Sequence, residues 1–334
     1  MRVKQRRLAG LAIAVLAVIV GVIALVIYLS HHDIAILQPA GAVGQKERNL
    51  IILAVALCAI VVIPVFAITI AVAIKYREGN TRSKKYRPDY DHSRVLEFTW
   101  WGIPIVLITI LAVVAWNSSH SLDPYRALAS SKPTMTVQVV SLDWKWLFIY
   151  PKQNIASVNY AMIPVNTPVD FQTTSDTVMN SFWVPALGGQ IYSMPGMKTQ
   201  LHLIADKTGS FSGSSANISG QGFAGMTFSI KSGSSAGFNS WVKTARASMR
   251  PLNSTSYASL ARPSQNVPVS YYSSVSPGLF DGIIMKYMQP MNPAGASPMP
   301  MNSGTSSGSM PMNSGSSNSM PMGSGSSMPA MEGM

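Results

Sequence analysis

Side chains able to hold a metal, attack a bond or pass a proton are scarce in this chain of 334 residues. The one cysteine, Cys58, lies inside an apolar run. A single thiol excludes an intrachain disulfide and every multi-cysteine metal site. In such a run it reads as a small apolar residue. Thioethers are plentiful by comparison: ten of the 20 methionines fall between 291 and 334. There Met-Pro-Met, followed by Asn-Ser-Gly or Gly-Ser-Gly, recurs at 299–304, 310–315 and 320–325. Soft thioethers suit Cu(I). A copper-collecting tail is therefore one reading of this stretch, and a disordered extension the other. His202 alternates with Leu201 and Leu203 and reads as a surface or structural histidine. The long apolar runs carry no Asp, Glu, Lys, Arg or His at their centres, which a proton relay through them would need.

These residues must be positioned by a chain that is 47% hydrophobic and only 11% charged. That balance is low in charge for a soluble protein and places part of the chain in lipid. Three apolar runs are long enough. Leu8 to Leu29 follows a basic start and is about 22 residues long, longer than a signal-peptide core. It is either a signal sequence or a retained first helix (residues 1–30). The second run is Leu50 to Ile74, with Pro64 at its middle, and the third is Thr99 to Trp116, with Trp100, Trp101 and Trp116 at its ends. Indoles favour the two membrane interfaces. The expected anchor is 31–124, with spans at about 50–75 and 99–117 and a cytoplasmic loop over 76–96. Seven basic residues lie within 75–94, and four within the first seven positions. Both clusters border apolar runs, so they read as positive-inside topology signals, not as a nucleic-acid surface. Everything after the third run then lies outside.

From Thr134 the texture changes. Alternation in Thr134–Val140, Val169–Thr173, Thr199–Leu203 and Met226–Ile230, with a β-prone Trp144–Tyr150, predicts short strands. Turn signals at Pro151, Pro164, Pro168, Gly188-Gly189, Pro195-Gly196 and Gly209 separate them. The expectation is an antiparallel β-sandwich or barrel over 125–235. Phe238, Trp241, Val242 and Ala245 fall at i, i+3, i+4 and i+7, one face of a helix. They open a helical and aromatic extension over 236–290, which is too apolar to be free and covers the sandwich or a partner. The Met/Ser/Gly/Pro-rich tail occupies 291–334.

Two membrane helices followed by a β-sandwich resemble subunit II of the haem-copper oxidases, and the local segments agree. Asp143-Trp144-Lys145-Trp146 resembles that family's aromatic cluster. Asn180-Ser181-Phe182-Trp183-Val184-Pro185 resembles the segment carrying its first copper histidine. Phe211-Ser212-Gly213 and Gly225-Met226 frame the loop of the other ligands. The likeness runs from about Gln38 to Met288 and implies a cupredoxin-like sandwich. At the positions matching the dinuclear copper ligands stand Asn180, Ser215, Ser219, Phe223 and Met226, with Asn217 where a backbone carbonyl would ligate. Only Met226 retains a ligand side chain. This pattern resembles the copper-less, quinol-oxidising branch, the bo-type ubiquinol oxidases. Many members carry a lipoprotein cysteine after the first apolar run; here His31-His32 occupies that place.

The resemblance implies a non-catalytic subunit II in a complex that oxidises ubiquinol, reduces oxygen to water and pumps protons. No cofactor is expected on this chain. Haem b, haem o and one copper are expected in partner subunit I, alongside further small membrane subunits. Asp143, Trp144, Lys145 and Trp146 are the expected subunit-interface residues. The expected location is the bacterial inner membrane, multi-pass, with the β-domain periplasmic. Residues 118–290 hold 12 Lys and Arg against six Asp and Glu, a net of +6. That charge would repel a basic soluble cytochrome c and suits a donor arriving through the lipid bilayer. Two other readings are a cytochrome c oxidase subunit II, disfavoured by the exchanged ligands, and a membrane-tethered sandwich that binds a partner.

Overall fold

In the computed structural model, residues 34–76 and 93–288 are described, with isolated positions 21 and 28. The first apolar run, most of the basic loop and the methionine tail lie outside the described residues.

Among the described residues, two helices are long and apolar enough to cross a membrane: α1, Ala42–Lys75, and α2, Arg94–Ser121. Both exceed the apolar runs that announce them. The extra stretch of α1, residues 42–49, is polar from Gln45 to Asn49 and carries the helix to the sandwich. Pro64 lies inside α1 and Pro104 inside α2, and neither ends its helix.

Thirteen strands follow, β1 to β13, with three helices, α3 (Ser235–Arg246), α4 (Ser254–Leu260) and α5 (Leu279–Met288). The strands nearest the core are β1 (Met135–Leu142), β2 (Lys145–Tyr150), β3 (Ile155–Val158), β4 (Tyr160–Pro164) and β5 (Pro168–Ser175). After them come β6 (Asn180–Trp183), β7 (Gln190–Ser193), β8 (Thr199–Ile204), β9 (Gly209–Ser215) and β10 (Thr227–Gly233). The extension adds β11 (Pro251–Leu252), β12 (Ser270–Tyr272) and β13 (Ser274–Val275). One sheet runs β12-β3-β2-β1-β5-β8 and the facing sheet β4-β10-β9-β6-β7. The sandwich is mixed, which corrects the purely antiparallel expectation: β1 pairs parallel with β5, and β4 parallel with β10. The chain changes sheet between β3 and β4 and again between β4 and β5, so β5 returns beside β1 in the same direction.

Between the sheets lies an aromatic slab. Phe182 and Phe228 stack with centroids 5.1 Å apart and planes at 7°. The Trp146 ring meets both edge-on at 5.5 Å. Phe148 and Phe171 close the group. Gly213 has to be a glycine, because a Cβ there would lie 2.2 Å from the Phe228 ring. The helix expected after Gly237 is α3, and its Phe238, Trp241, Val242 and Ala245 join this core.

β2 shows no alternation because both its faces are covered. Trp146, Phe148 and Tyr150 point inward, while Leu147 and Ile149 meet Phe280, Ile283 and Ile284 of α5 in a second cluster. Each such side chain contributes about 1.5–3 kcal/mol when fully buried. The extension is thus the sandwich's second layer, and through β12 it is also part of a sheet.

The edge strand β8 and the turn after it are met by the residues just before α1 and just after α2. Asp206 N–H donates to Ala40 O at 2.8 Å and His202 N–H to Pro124 O at 3.1 Å. Nearby, Ala40 and Gly44 N–H donate to Ala186 and Leu187 carbonyls at 2.7 and 3.0 Å. A Cβ at Gly41 would stand 2.2 Å from Ile204 O, a backbone atom that cannot step aside. Gly41→Ala should therefore loosen the mount of the anchor on the sandwich and cost about 1–3 kcal/mol. Thermal melting in detergent reads this; an unchanged Tm would contradict the close approach.

Candidate functional site

The segments expected from the resemblance to correspond to copper-ligand loops converge at one end of the sandwich. β6 delivers Asn180, and β9 ends at Ser215. The loop 216–226 carries Asn217, Ser219 and Phe223, and Met226 precedes β10. Asn180, Ser215 and Met226 are buried; Asn217, Ser219 and Phe223 are half-buried. Phe223 opens a single 3₁₀ turn, Phe223–Gly225.

Ser215 is the hub. Its Oγ lies 3.0 Å from Asn180 Oδ1 and 3.1 Å from the Asn217 carbonyl, two acceptors for its one proton. It accepts from the N–H groups of Ser181 and Asn217, each at 3.4 Å. A hydroxyl offers one donor and two lone pairs, so Ser215 is fully used. Asn180 Nδ2 donates to Val178 O at 3.2 Å, and Ser219 Oγ points to Met226 Sδ at 3.9 Å. Amide, hydroxyl, phenyl and one thioether do not make a copper donor set. Serine keeps its proton near neutral pH and cannot replace a bridging thiolate, and phenylalanine cannot ligate. A dinuclear copper centre does not fit these residues. Among the described residues there is no cluster of three or more His, Cys, Asp or Glu able to hold a metal.

The aromatic cluster splits in two. Trp144 lies over the loop: its Nε1 donates to Ser219 O at 3.1 Å, and a Cβ at Gly222 would lie 2.4 Å from its ring. Asp143 and Trp144 are half-exposed. Trp146 and Lys145 are 0% and 1% exposed, so neither has surface to offer a partner, and both are withdrawn as interface residues. Strand alternation is the reason: Trp146 points into the aromatic slab and Lys145 beneath the extension. Lys145 Nζ donates to the carbonyls of Asp143 (2.9 Å) and Arg262 (2.8 Å) and to Ser264 Oγ (2.6 Å), which uses all three of its protons. Burial lowers its pKa, and the nearby Asp143 charge opposes that.

One residue at this end escaped the sequence reading. Asp176, in the β5–β6 turn, is buried and accepts from Tyr257 OH (2.7 Å), Lys286 Nζ (2.7 Å) and Tyr287 OH (3.1 Å). It ties α4 and α5 to the loop beside Asn180. A lone acid in a turn gives no sequence signal, because its partners lie 81 to 111 residues away. His202 is structural in its contacts: Nδ1 sits 3.0 Å from Pro124 O and Nε2 3.8 Å from Asp170 Oδ1.

Residues 150–233 match the family model for the cytochrome c oxidase subunit II periplasmic domain, and residues 246–291 that for the COX aromatic rich motif. A cytochrome bo(3) ubiquinol oxidase subunit 2 of Pseudomonas aeruginosa is 52% identical over 259 residues, 78% of each chain. The chain belongs to the quinol oxidase subunit 2 family. A ubiquinol oxidase subunit 2 of Acetobacter aceti is 48% identical, over 78% of this chain and 84% of its own. A quinol oxidase subunit 2 of Bacillus subtilis is 35% identical, over 72% and 75%. As a member of the subunit 2 family, the chain has two apolar helices followed by a cupredoxin-like sandwich, and its extension over 246–291 is the matched aromatic rich motif.

Two outcomes test this geometry. Ser215→Ala leaves the buried Ser181 N–H, the half-buried Asn217 N–H and the Asn180 amide oxygen short of a partner and should cost about 1–3 kcal/mol in thermal unfolding. No loss of stability would remove Ser215 as the hub. Lys286 is raised above its ordinary 10.5, first by the hydrogen bond to Asp176. A raised ammonium stabilises the fold below 10.5, and that contribution is lost as pH climbs through the folded value. The amine is well exposed, so Lys286→Met should cost only about 0.5–1 kcal/mol near neutral pH. Wild type and variant should converge above pH 10.5; a gap that widens there would contradict the latch.

Proposed function

We propose that this chain is the non-catalytic subunit II of a terminal respiratory oxidase, part of an oxidoreductase complex in the bacterial inner membrane. The complex takes electrons from ubiquinol, reduces oxygen to water and pumps protons. The haems and the remaining copper belong to the polytopic partner, subunit I, on which α1 and α2 pack. The sandwich stands on the periplasmic side as its cap, and the chain supports assembly.

The observation that carries this reading is the Ser215 network. A copper relay accepts electrons from a soluble cytochrome. Here Ser215, the hub of the corresponding loops, has its donor and both lone pairs taken up by hydrogen bonds, and no thiolate or imidazole stands beside it. The net +6 of the outer residues argues the same way, since it would repel a basic cytochrome. The relatives are named as ubiquinol or quinol oxidase subunits, which favours the quinol branch over a cytochrome c oxidase.

The surface offered to the partner is the rim of this end: Trp144 with Val178, Met179 and Ile218, all apolar, the last three exposed. Trp144 then acts by packing and not as an electron relay. Purification in mild detergent should bring down a large haem-bearing membrane subunit and ubiquinol-dependent oxygen consumption. A complex without haem would overturn the oxidase reading. Trp144→Phe keeps a ring on Gly222 and should leave quinol turnover within about twofold of wild type. Collapsed turnover in a fully assembled complex would instead assign Trp144 a part in electron transfer.

A further inference from the structure

The turn between β5 and β6 is bonded from two sides. From within, Ser175 Oγ donates to Val178 O at 2.7 Å and accepts from Thr177 N–H at 3.1 Å. Asp176 N–H donates to Ser141 O at 3.0 Å. From without, the bonds come from the extension. Tyr257 OH donates to Asp176 Oδ2, and Lys286 Nζ to Oδ1, both at 2.7 Å. Tyr287 OH lies 2.7 Å from the Asp176 carbonyl and 3.1 Å from Oδ1. One buried carboxylate thus joins this turn to both α4 and α5.

The same anchor reaches two neighbouring loops. Ser175 N–H and Thr174 Oγ1 both donate to Met194 O at 3.3 Å, which sets the loop 194–197 beside the turn. Gly196 in that loop has φ +70°, and a Cβ on it would lie 3.2 Å from Tyr287 Cβ. Tyr287 therefore stands against both loops. On the other side Asn217 Nδ2 donates to Met179 O at 3.4 Å and brings in the loop 216–226. Each loop then turns apolar side chains outward: Val178 and Met179 from the first, Met197 from the second, Ile218 from the third. Ile218 is 83% exposed. Apolar side chains gathered on loops whose backbones are already bonded make a prepared contact surface. A partner that binds it spends little entropy on ordering it.

We infer that Asp176 is a positioning residue for partner docking: with Tyr257, Lys286 and Tyr287 it sets the loops of the rim, so that subunit I is held tightly only when the extension has closed on the sandwich. The inference rests on the subunit II reading and on the rim assigned above. It adds the element that controls that rim. The extension then has two tasks: its apolar side covers β1 and β2, and its polar end sets the docking loops. The exposed side chains of the three loops are aliphatic or thioether, so the face that receives them is apolar.

The test follows the complex through dilution. The full-length chain is tagged, purified with its partners in mild detergent, and diluted, and the haem that stays with it is read over time. Tyr257→Phe with Tyr287→Phe keeps both rings and removes two donors from Asp176. Asp176→Asn removes the charge itself. Val242→Ala is the control: it opens a cavity under α3 and makes none of these bonds. Thermal melting ranks the three for stability. Both latch variants should release haem at least about tenfold faster than wild type, since lost interface order appears mainly in the off-rate. Val242→Ala should hold haem as wild type does, even where its melting temperature falls further. Latch variants that hold haem as wild type does overturn the inference. So does equal release by Val242→Ala, because stability alone would then explain the loss. Should Asp176→Asn fail to fold, the paired Tyr→Phe variant decides. A wild-type chain that brings down no haem overturns the subunit II reading itself, a result distinct from the failure of the latch.

Discussion

The structure depends most on the ring stack between the two sheets. Phe182, Phe228 and Trp146 pack within 5.5 Å of one another, and Gly213 is bare so that Phe228 can lie over it. Each loop residue of the candidate site is tethered to that slab at short range. Asn180 is two residues before Phe182, Met226 is two before Phe228, and Ser215 is two beyond Gly213. The loop ends are therefore fixed by aromatic packing, whichever side chains occupy the loop. A metal centre would add binding energy to such a frame, but the frame does not need it. Hydroxyl and amide groups suffice at the loop ends because what they must satisfy is a small set of backbone N–H groups and carbonyls.

A sandwich made this way has two exposed liabilities, and the chain covers both with its own segments. The outer face of β2 and β1 is apolar, so the extension lies across it and donates β12 to the sheet edge at β3. The opposite edge, β8, would present unpaired backbone groups. The residues leading into α1 and those leaving α2 take up those groups through Ala40 and Pro124. Anchor and domain thereby meet through backbone hydrogen bonds and glycine contacts at two points on one edge. A two-point mount resists swinging far better than a single linker does. It gives the rim around Trp144 a fixed height and orientation relative to α1 and α2.

What the sequence disclosed follows from the same physics. The strands whose apolar residues alternate with polar ones (β1, β5, β8 and β10) show their period, and the amphipathic α3 shows its own. The strands that escaped, β3, β4, β6, β7 and β9, are four to seven residues long, and β9 reads Gly-Ser-Phe-Ser-Gly-Ser-Ser. Such a stretch looks like a loop, because its partner supplies the ring that fills the space over Gly213. The parallel pairs were hidden for a similar reason: register across a change of sheet leaves no local trace. Lys145 and Trp146 misled because an aromatic and basic cluster looks like surface until alternation sends its members to opposite faces of a strand that is covered on both.

Asp176 shows how far residue type alone can carry a reading of this site. Its neighbours Ser175 and Thr177 mark a polar turn, and nothing local distinguishes it from Asp123 or Asp206. Its weight comes from Tyr257, Lys286 and Tyr287, which arrive only after the extension has docked. Docking in turn needs β2 to present Leu147 and Ile149 outward, and that needs Trp146 and Phe148 to point inward. The latch beside Asn180 and Ser215 is thus a late consequence of the slab at the centre. The loops stay ordered at both ends: from within by packed rings, and from without by a buried carboxylate that holds the extension in place.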